Sequence, residues 1–139
     1  MTDVLRTESE DQTVAAARRF AERLPPGALV LLTGDLGAGK TAFVRGLAAG
    51  LGIDPDDVSS PTFTLIQEYA GARVLRHVDL YRLQGADVED LGLEELNQDG
   101  AVVAIEWAER LSAPPGGAIR VTIVDLGEDV REIRIHSDR

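Results

Sequence analysis

Two kinds of hydrophobic pattern alternate along the chain and together predict an α/β fold. Continuous apolar runs at residues 28–33 (ALVLLT) and 101–105 (AVVAI) are typical of central strands that are covered on both faces. Apolar residues at helical spacing predict helices over 10–24 and 39–51. The order of these elements predicts a layered α/β domain in which helices flank a mixed central sheet.

Shorter patterns predict the remaining elements. Residues 62–69 and 73–78 flank the tripeptide AGA and are typical of an antiparallel hairpin. Apolar and polar residues alternate in 118–126 and in 130–136, which predicts a C-terminal β-hairpin closed by a GED turn. Three minor elements complete the pattern: an edge strand at 2–6, a polar loop at 53–61 and a short helix at 87–96.

Composition narrows the class of protein. A chain of 139 residues predicts one domain over residues 1–139, and the lack of cysteine excludes disulfides and thiolate metal sites. No apolar run approaches the length of a membrane span and the N-terminus lacks a signal-peptide pattern, so we expect a cytoplasmic protein away from the membrane. A net charge of −10 argues against extensive direct binding to a nucleic-acid backbone.

The segment GDLGAGKT, residues 34–41, matches the phosphate-binding loop motif G-x-x-x-x-G-K-[ST]. It follows an apolar strand and opens a helix, which is the context that the motif requires. Glycines allow the backbone N–H groups to curl around an anion, and the helix N-terminus adds positive potential. The motif therefore predicts a nucleotide site in a P-loop NTPase-like fold, but it does not select the reaction.

Lys40 is the only lysine among 14 basic residues, so the loop retains lysine where the rest of the chain uses arginine. Its ammonium is a compact point charge that reaches the β- and γ-phosphates, whereas a guanidinium is a broad planar fork. A second lysine would be needed for the guanine-reading motif N/T-K-x-D of GTPases. The sequence therefore favours ATP over GTP.

Acidic and hydroxyl side chains follow the other predicted strands. Glu106 comes directly after the apolar run 101–105 and is the better candidate for the Mg²⁺ side of the site, while Asp79 ends a more polar strand and is a second acid. Thr62 lies where P-loop proteins place a segment that senses the γ-phosphate. Simpler interpretations remain for each: a surface acid at a strand end for Glu106, a turn or N-cap aspartate for Asp79, and a strand-entry threonine for Thr62.

Four segments in this order resemble the TsaE (YjeE) family of bacterial ATPases. They are listed here as they stand in the chain: GDLGAGKT (34–41), SPTFTL (60–65), HVDLYRL (77–83) and AIEWAERL (104–111). Together they are far more specific than the P-loop alone, and the similarity extends over nearly the whole chain.

The resemblance implies roles for individual residues. Thr41 and Glu106 would hold Mg²⁺, and Lys40, Asp79 and Glu106 would be the catalytic residues. Trp107 would lie beside the site, Tyr81 and Arg82 would support it, and Glu10 and Arg131 are candidates for the base side of the nucleotide. The residues expected to bind ATP or ADP are Glu10, Gly34, Asp35, Leu36, Gly37, Ala38, Gly39, Lys40, Thr41, Ala42, Thr62, Trp107 and Arg131.

The resemblance also implies a partner. Proteins of this family dock onto the TsaB–TsaD pair, in which TsaD transfers a threonylcarbamoyl group to adenosine 37 of tRNA. ATP hydrolysis by the TsaE protein would support repeated turnover of that complex. An acidic chain fits contact with a protein better than direct contact with tRNA.

Two other functions share the same loop. A small P-loop kinase would carry a lid with arginine, but the long connection 112–117 (SAPPGG) contains none. A nucleotide-dependent binding module would use the site without appreciable hydrolysis. The residues alone do not decide whether Asp79 or Glu106 is the catalytic base.

Overall fold

A computed structural model describes residues 2–34, 39–58, 66–80, 95–108 and 117–137. Two α-helices and seven strands lie within these residues. In chain order they are β1 (Thr2–Thr7), α1 (Glu10–Ala21), β2 (Leu29–Thr33), α2 (Lys40–Gly50), β3 (Ile66–Ala70), β4 (Val74–Asp79), β5 (Val102–Glu106), β6 (Ile119–Gly127) and β7 (Val130–His136).

The described strands form one mixed sheet in the order β1-β7-β6-β2-β5-β4-β3. Its centre is parallel, because β2 pairs with both β5 and β6, and β4 pairs with β5 in the same direction. Antiparallel pairs flank this parallel centre. On one side β3 pairs with β4, and on the other side β7 pairs with both β6 and β1. The predicted mixed sheet, the edge strand and the C-terminal hairpin are confirmed.

Burial explains why the central strands are continuous apolar runs. All five residues of β5 are buried, and the middle of β2 is buried as well. One face of the sheet packs against α1 and α2, and Leu31, Val103 and Ile105 belong to a second apolar cluster on the other face. Because the central strands run parallel, their C-terminal ends lie at one edge of the sheet. P-loop proteins bind their ligands at this edge.

Close packing against α1 fixes the position of α2. A Cβ atom on Gly46 would lie 2.4 Å from Cβ of Ala17, and one on Gly50 would lie 2.6 Å from Cβ of Ala21. Only glycine permits so close an approach of the two helices. The α1 helix thus holds α2 against the sheet, with the first turn of α2 directed at the strand ends.

Several element boundaries differ from the predictions. The first helix ends at Ala21 rather than at residue 24, because the N–H groups of Arg23 and Leu24 bond three residues back in a tighter turn before the prolines. The predicted loop 53–61 includes a short 3₁₀ turn at Pro55–Asp57. Most of the helix predicted at 87–96, and residues 62–65 of the first hairpin, lie outside the described residues.

The turn of the C-terminal hairpin is shorter than the predicted GED tripeptide. Gly127 pairs with Val130, so Glu128 and Asp129 alone form the turn, both with positive φ.

Neither helix in the described part of the chain is long and apolar enough to cross a lipid bilayer.

Candidate functional site

The described ends of the phosphate loop join β2 to α2 at the edge where the parallel strands end. Gly34 follows β2 with φ of 151°, and Gly39 precedes α2 with φ of 105°, in the left-handed region that favours glycine. Gly39 has no side chain with which to cap the helix, so its position at the N-cap suits the approach of an anion. Asp35, Leu36, Gly37 and Ala38 of the predicted site lie outside the described residues.

Lys40 is buried, with only 5% of its surface exposed. Its Nζ donates a hydrogen bond to the carbonyl oxygen of Gly34 at 2.8 Å and lies 3.6 Å from the ring centroid of Trp107. A buried ammonium requires such partners, and the face of an indole ring attracts a cation. The predicted catalytic lysine and the predicted nucleotide-side tryptophan are therefore in direct contact.

Trp107 has an unusual backbone conformation. Its φ of 60° lies in the left-handed region, which costs a bulky residue about 1–3 kcal/mol. The residue follows β5 directly, and its partly buried ring packs on the apolar cluster of the second sheet face. Strain of this kind is concentrated at functional sites, and here it turns the ring towards Lys40.

Asp79 and Glu106 are the last residues of two neighbouring parallel strands. They are Cα partners in the register of β4 and β5, and they point to the sheet face that carries α2. Asp79 is half-buried, whereas only 4% of Glu106 is exposed. The structure brings together the two acids that the sequence left 27 positions apart, at the edge that also holds the loop.

A histidine that the sequence analysis did not assign to the site holds Glu106. Nε2 of His77 lies 2.7 Å from Oε2 of Glu106, and both side chains are buried. The sequence contained a signal for this contact. His77 and Asp79 are two positions apart on one strand, so they lie on the same face of the sheet. Glu106, which ends the adjacent parallel strand, lies on that face as well. Among the described residues, Nδ1 of His77 has no hydrogen-bond partner.

Thr41 and Ala42 lie in the first turn of α2, next to Lys40. Ala42 is buried, so its contribution to an anion site would come from its backbone N–H group. The Thr41 side chain is partly exposed, and its hydroxyl is the donor type that P-loop proteins offer to Mg²⁺.

The two predicted base-side residues lie at different distances from the loop. Arg131 on β7 is adjacent to it, since a Cβ atom on Gly39 would lie 3.7 Å from Arg131 Nε. Glu10 begins α1, and its carboxylate pairs at 3.1 Å with Arg45, which lies one turn beyond Thr41 on α2. Thr62, Tyr81 and Arg82 lie outside the described residues.

The donor chemistry fits Mg²⁺ held jointly with a nucleotide. Mg²⁺ in such sites takes one or two carboxylates or hydroxyls, with phosphate oxygens and water as the other ligands. Thr41, Asp79 and Glu106 supply these groups at one edge, and no cluster of three or more metal-binding side chains occurs in the described part of the chain. A metal ion at this edge would therefore need further ligands, such as phosphate oxygens and water.

A separate ion pair shifts the pKa values of Arg76 and Asp99. Arg76 Nη1 and Nη2 donate to the two carboxylate oxygens of Asp99 at 2.8 and 2.6 Å, and Nε donates to Glu68 at 2.7 Å. Hydrogen bonds from the Arg76 side chain and from the backbone N–H of Ala101 lower the pKa of Asp99 from 3.8 to about 2. The carboxylates of Asp99 and Glu68 raise the pKa of Arg76 above its ordinary value.

The chain is similar to proteins of one family over most of its length. The sequence model of the family described as "Threonylcarbamoyl adenosine biosynthesis protein TsaE" matches residues 7–133. A TsaE protein of Bacillus subtilis is 43% identical over 130 residues, covering 92% of this chain and 81% of that protein. A TsaE protein of Nostoc is 41% identical over 141 residues, covering 97% and 85%.

A solved structure shares the fold. The crystal structure of YdiB from Bacillus subtilis superposes with a TM-score of 0.78 at 35% identity, covering 99% of this chain and 86% of that one. The P-loop NTPase-like α/β fold is thereby confirmed. A family match over residues 7–133, together with relatives above 40% identity over nearly the full length, shows that this chain belongs to the TsaE family.

Proposed function

We propose that this protein is a Mg²⁺-dependent ATPase that serves the threonylcarbamoyladenosine modification of tRNA. The observation that carries the proposal is the position of Glu106: a buried carboxylate at the end of a central parallel strand, beside Asp79, on the edge that holds Lys40. A carboxyl group is expensive to bury, and its retention at the edge that carries Lys40 favours a chemical task over a purely structural one.

Each side chain has a task in this proposal. The backbone of the loop from Gly34 to Thr41 would cradle the phosphates, and Lys40 would move from Gly34 and Trp107 to the β- and γ-phosphates. Mg²⁺, when bound, supplies positive charge at the phosphate oxygens. Thr41 and Glu106 would hold that ion directly or through water.

Asp79 is the candidate for placing the attacking water. Its carboxylate is half-buried and adjacent to Glu106 in register, so it borders the same edge while remaining accessible to solvent. Phosphoryl transfer depends mainly on positioning and electrostatic stabilisation, and a carboxylate that orients water meets that requirement. Thr62 would report the γ-phosphate to the rest of the chain.

The partner in this proposal is a TsaB–TsaD pair, and the location is the cytoplasm. The names of the relatives place those proteins in threonylcarbamoyladenosine biosynthesis. The net charge of −10 favours docking onto a basic protein surface over binding of tRNA by this chain alone.

The decisive experiment compares Asp79→Asn and Glu106→Gln with the wild type, in the presence of TsaB and TsaD. We expect both variants to retain Mg²⁺-independent binding of ATP, while partner-stimulated hydrolysis falls at least about 100-fold and tRNA modification stops. The surface variant Asp99→Asn is the control for carboxylate-to-amide replacement and should behave as the wild type.

Other outcomes would select the alternatives. Modification that persists without hydrolysis would establish a nucleotide-dependent binding module instead. Transfer of the γ-phosphate to a metabolite would establish a kinase. Failure to capture TsaB or TsaD with ATP, with ADP or without nucleotide would refute the proposed partner.

A further inference from the structure

The contact between His77 and Glu106 is the least expected feature of the site. His77 is fully buried in β4, and 5% of the Glu106 side chain is exposed. The two strands are in parallel register, with His77 opposite Ala104 and Asp79 opposite Glu106. The imidazole therefore reaches diagonally along the sheet face to a carboxylate two positions further on.

Chemistry assigns the direction of this hydrogen bond. An ionised carboxylate can only accept, so with Glu106 ionised Nε2 of His77 is the donor to Oε2, 2.7 Å away. In the neutral ring this leaves Nδ1 as an acceptor, and it has no donor among the described residues.

The hydrogen bond restricts the orientation of Glu106. A glutamate side chain has several rotatable bonds, and fixing one oxygen on a rigid strand neighbour determines where the second oxygen points. Groups that contact a metal ligand in this way commonly tune both its geometry and its affinity for the metal.

We propose that His77 is a positioning residue that holds Glu106 in the orientation needed for Mg²⁺ bound with a nucleotide. The inference rests on the proposed nucleotide site but is separable from it. His77 would not contact the nucleotide, so its removal should affect the metal-dependent part of binding and spare the metal-independent part.

The test is calorimetric titration of ADP into each protein, with and without MgCl₂. The quantity compared is the gain in ADP affinity that MgCl₂ produces. We expect this gain to be about 10- to 100-fold smaller in His77→Leu than in the wild type. The affinity of His77→Leu for ADP without Mg²⁺ should stay within about twofold of the wild type. His77→Gln places an amide donor near the position of Nε2 and should restore most of the Mg²⁺ dependence. Circular dichroism would check that each variant is folded.

The second histidine provides a matched control. His136 is exposed on β7, where Nδ1 contacts the hydroxyl of Thr2 at 2.8 Å. His136→Leu should titrate as the wild type. It also leaves a single histidine, so the ¹⁵N spectrum of its imidazole should show a protonated Nε2 in the metal-free protein.

Three results would overturn the inference. The first is a normal Mg²⁺ dependence in His77→Leu, and the second is an equal loss in His77→Leu and His77→Gln. The third is an unprotonated Nε2 in the metal-free protein. A wild type whose ADP binding does not respond to Mg²⁺ would instead refute the metal site of the proposed function, and with it the task assigned to His77.

Discussion

Arg76 and His77 are neighbours on β4, yet they hold carboxylates in opposite environments. Arg76 lies on one face of the strand and binds Asp99, whose side chain is 55% exposed, through two parallel hydrogen bonds. His77 lies on the other face and binds the buried Glu106 through one hydrogen bond. Successive side chains on a strand point to opposite faces, so one step along the chain separates the two pairs.

The difference shows what each pair contributes. The guanidinium of Arg76 also binds Glu68 and the carbonyl oxygen of Leu96, and it connects β4, β3 and the turn before β5. Its two carboxylate partners, Glu68 and Asp99, are exposed, so water can replace either of those contacts when it is lost. His77 and Glu106 are buried, so water does not readily replace their contact when one partner is removed. Nδ1 of His77 lacks a partner among the described residues. The exposed pair is therefore expected to contribute little net stability, whereas the buried pair cannot lose one partner without a cost in free energy.

The largest expected effect on stability comes from breaking the buried pair on one side. His77→Leu should lower the free energy of unfolding by about 2–3 kcal/mol, because Glu106 is left buried without its donor. The double variant His77→Leu/Glu106→Leu should recover at least half of that loss, since a buried polar pair can often be replaced by apolar side chains at little cost. Urea denaturation at pH 7 measures both. A double variant as unstable as the single one would mean that the pair is a net source of stability.

A smaller effect is expected from the exposed pair, and it depends on pH. Asp99→Asn should lower the Tm at pH 7 by less than about 4 °C and leave nucleotide affinity within about twofold. The pKa of Asp99 is lowered from 3.8 to about 2 in the folded protein, so the advantage of the wild type is fully present above pH 4. It should decline below pH 4 and be mostly lost by pH 2. Thermal unfolding of both proteins between pH 7 and pH 2 measures this, and a constant difference in Tm would contradict the assignment to Asp99.

Much of the fold could be predicted from the hydrophobic pattern. The runs at 28–33 and 101–105 became the buried parallel strands β2 and β5, because strands covered on both faces have few polar positions. Helix and hairpin boundaries were less predictable. The end of α1 depends on a tightened last turn, and the short turn at Glu128 depends on backbone conformations that the residue types do not favour.

The candidate site was only partly predictable, for a physical reason. The loop around Lys40 is a local motif, and its spacing alone identifies it. The contact of His77 with Glu106 joins residues on different strands, and it depends on the order and register of the sheet. The contact between Lys40 and Trp107 depends in addition on the strained φ of Trp107. Such features follow from tertiary structure and are visible in the sequence only once the parallel pairing of β4 with β5 is assumed.

The most direct test of the nucleotide site is the affinity of Lys40→Arg for ATP in the presence of Mg²⁺, measured by calorimetry. Lys40 is 5% exposed between Gly34 and Trp107, so a planar guanidinium would displace its neighbours and lose its contact with the phosphates. We expect binding to weaken about 10- to 100-fold in a folded protein. The control Arg18→Lys, at a side chain that is 63% exposed on α1, should bind as the wild type. Near-normal ATP binding by Lys40→Arg would contradict the account.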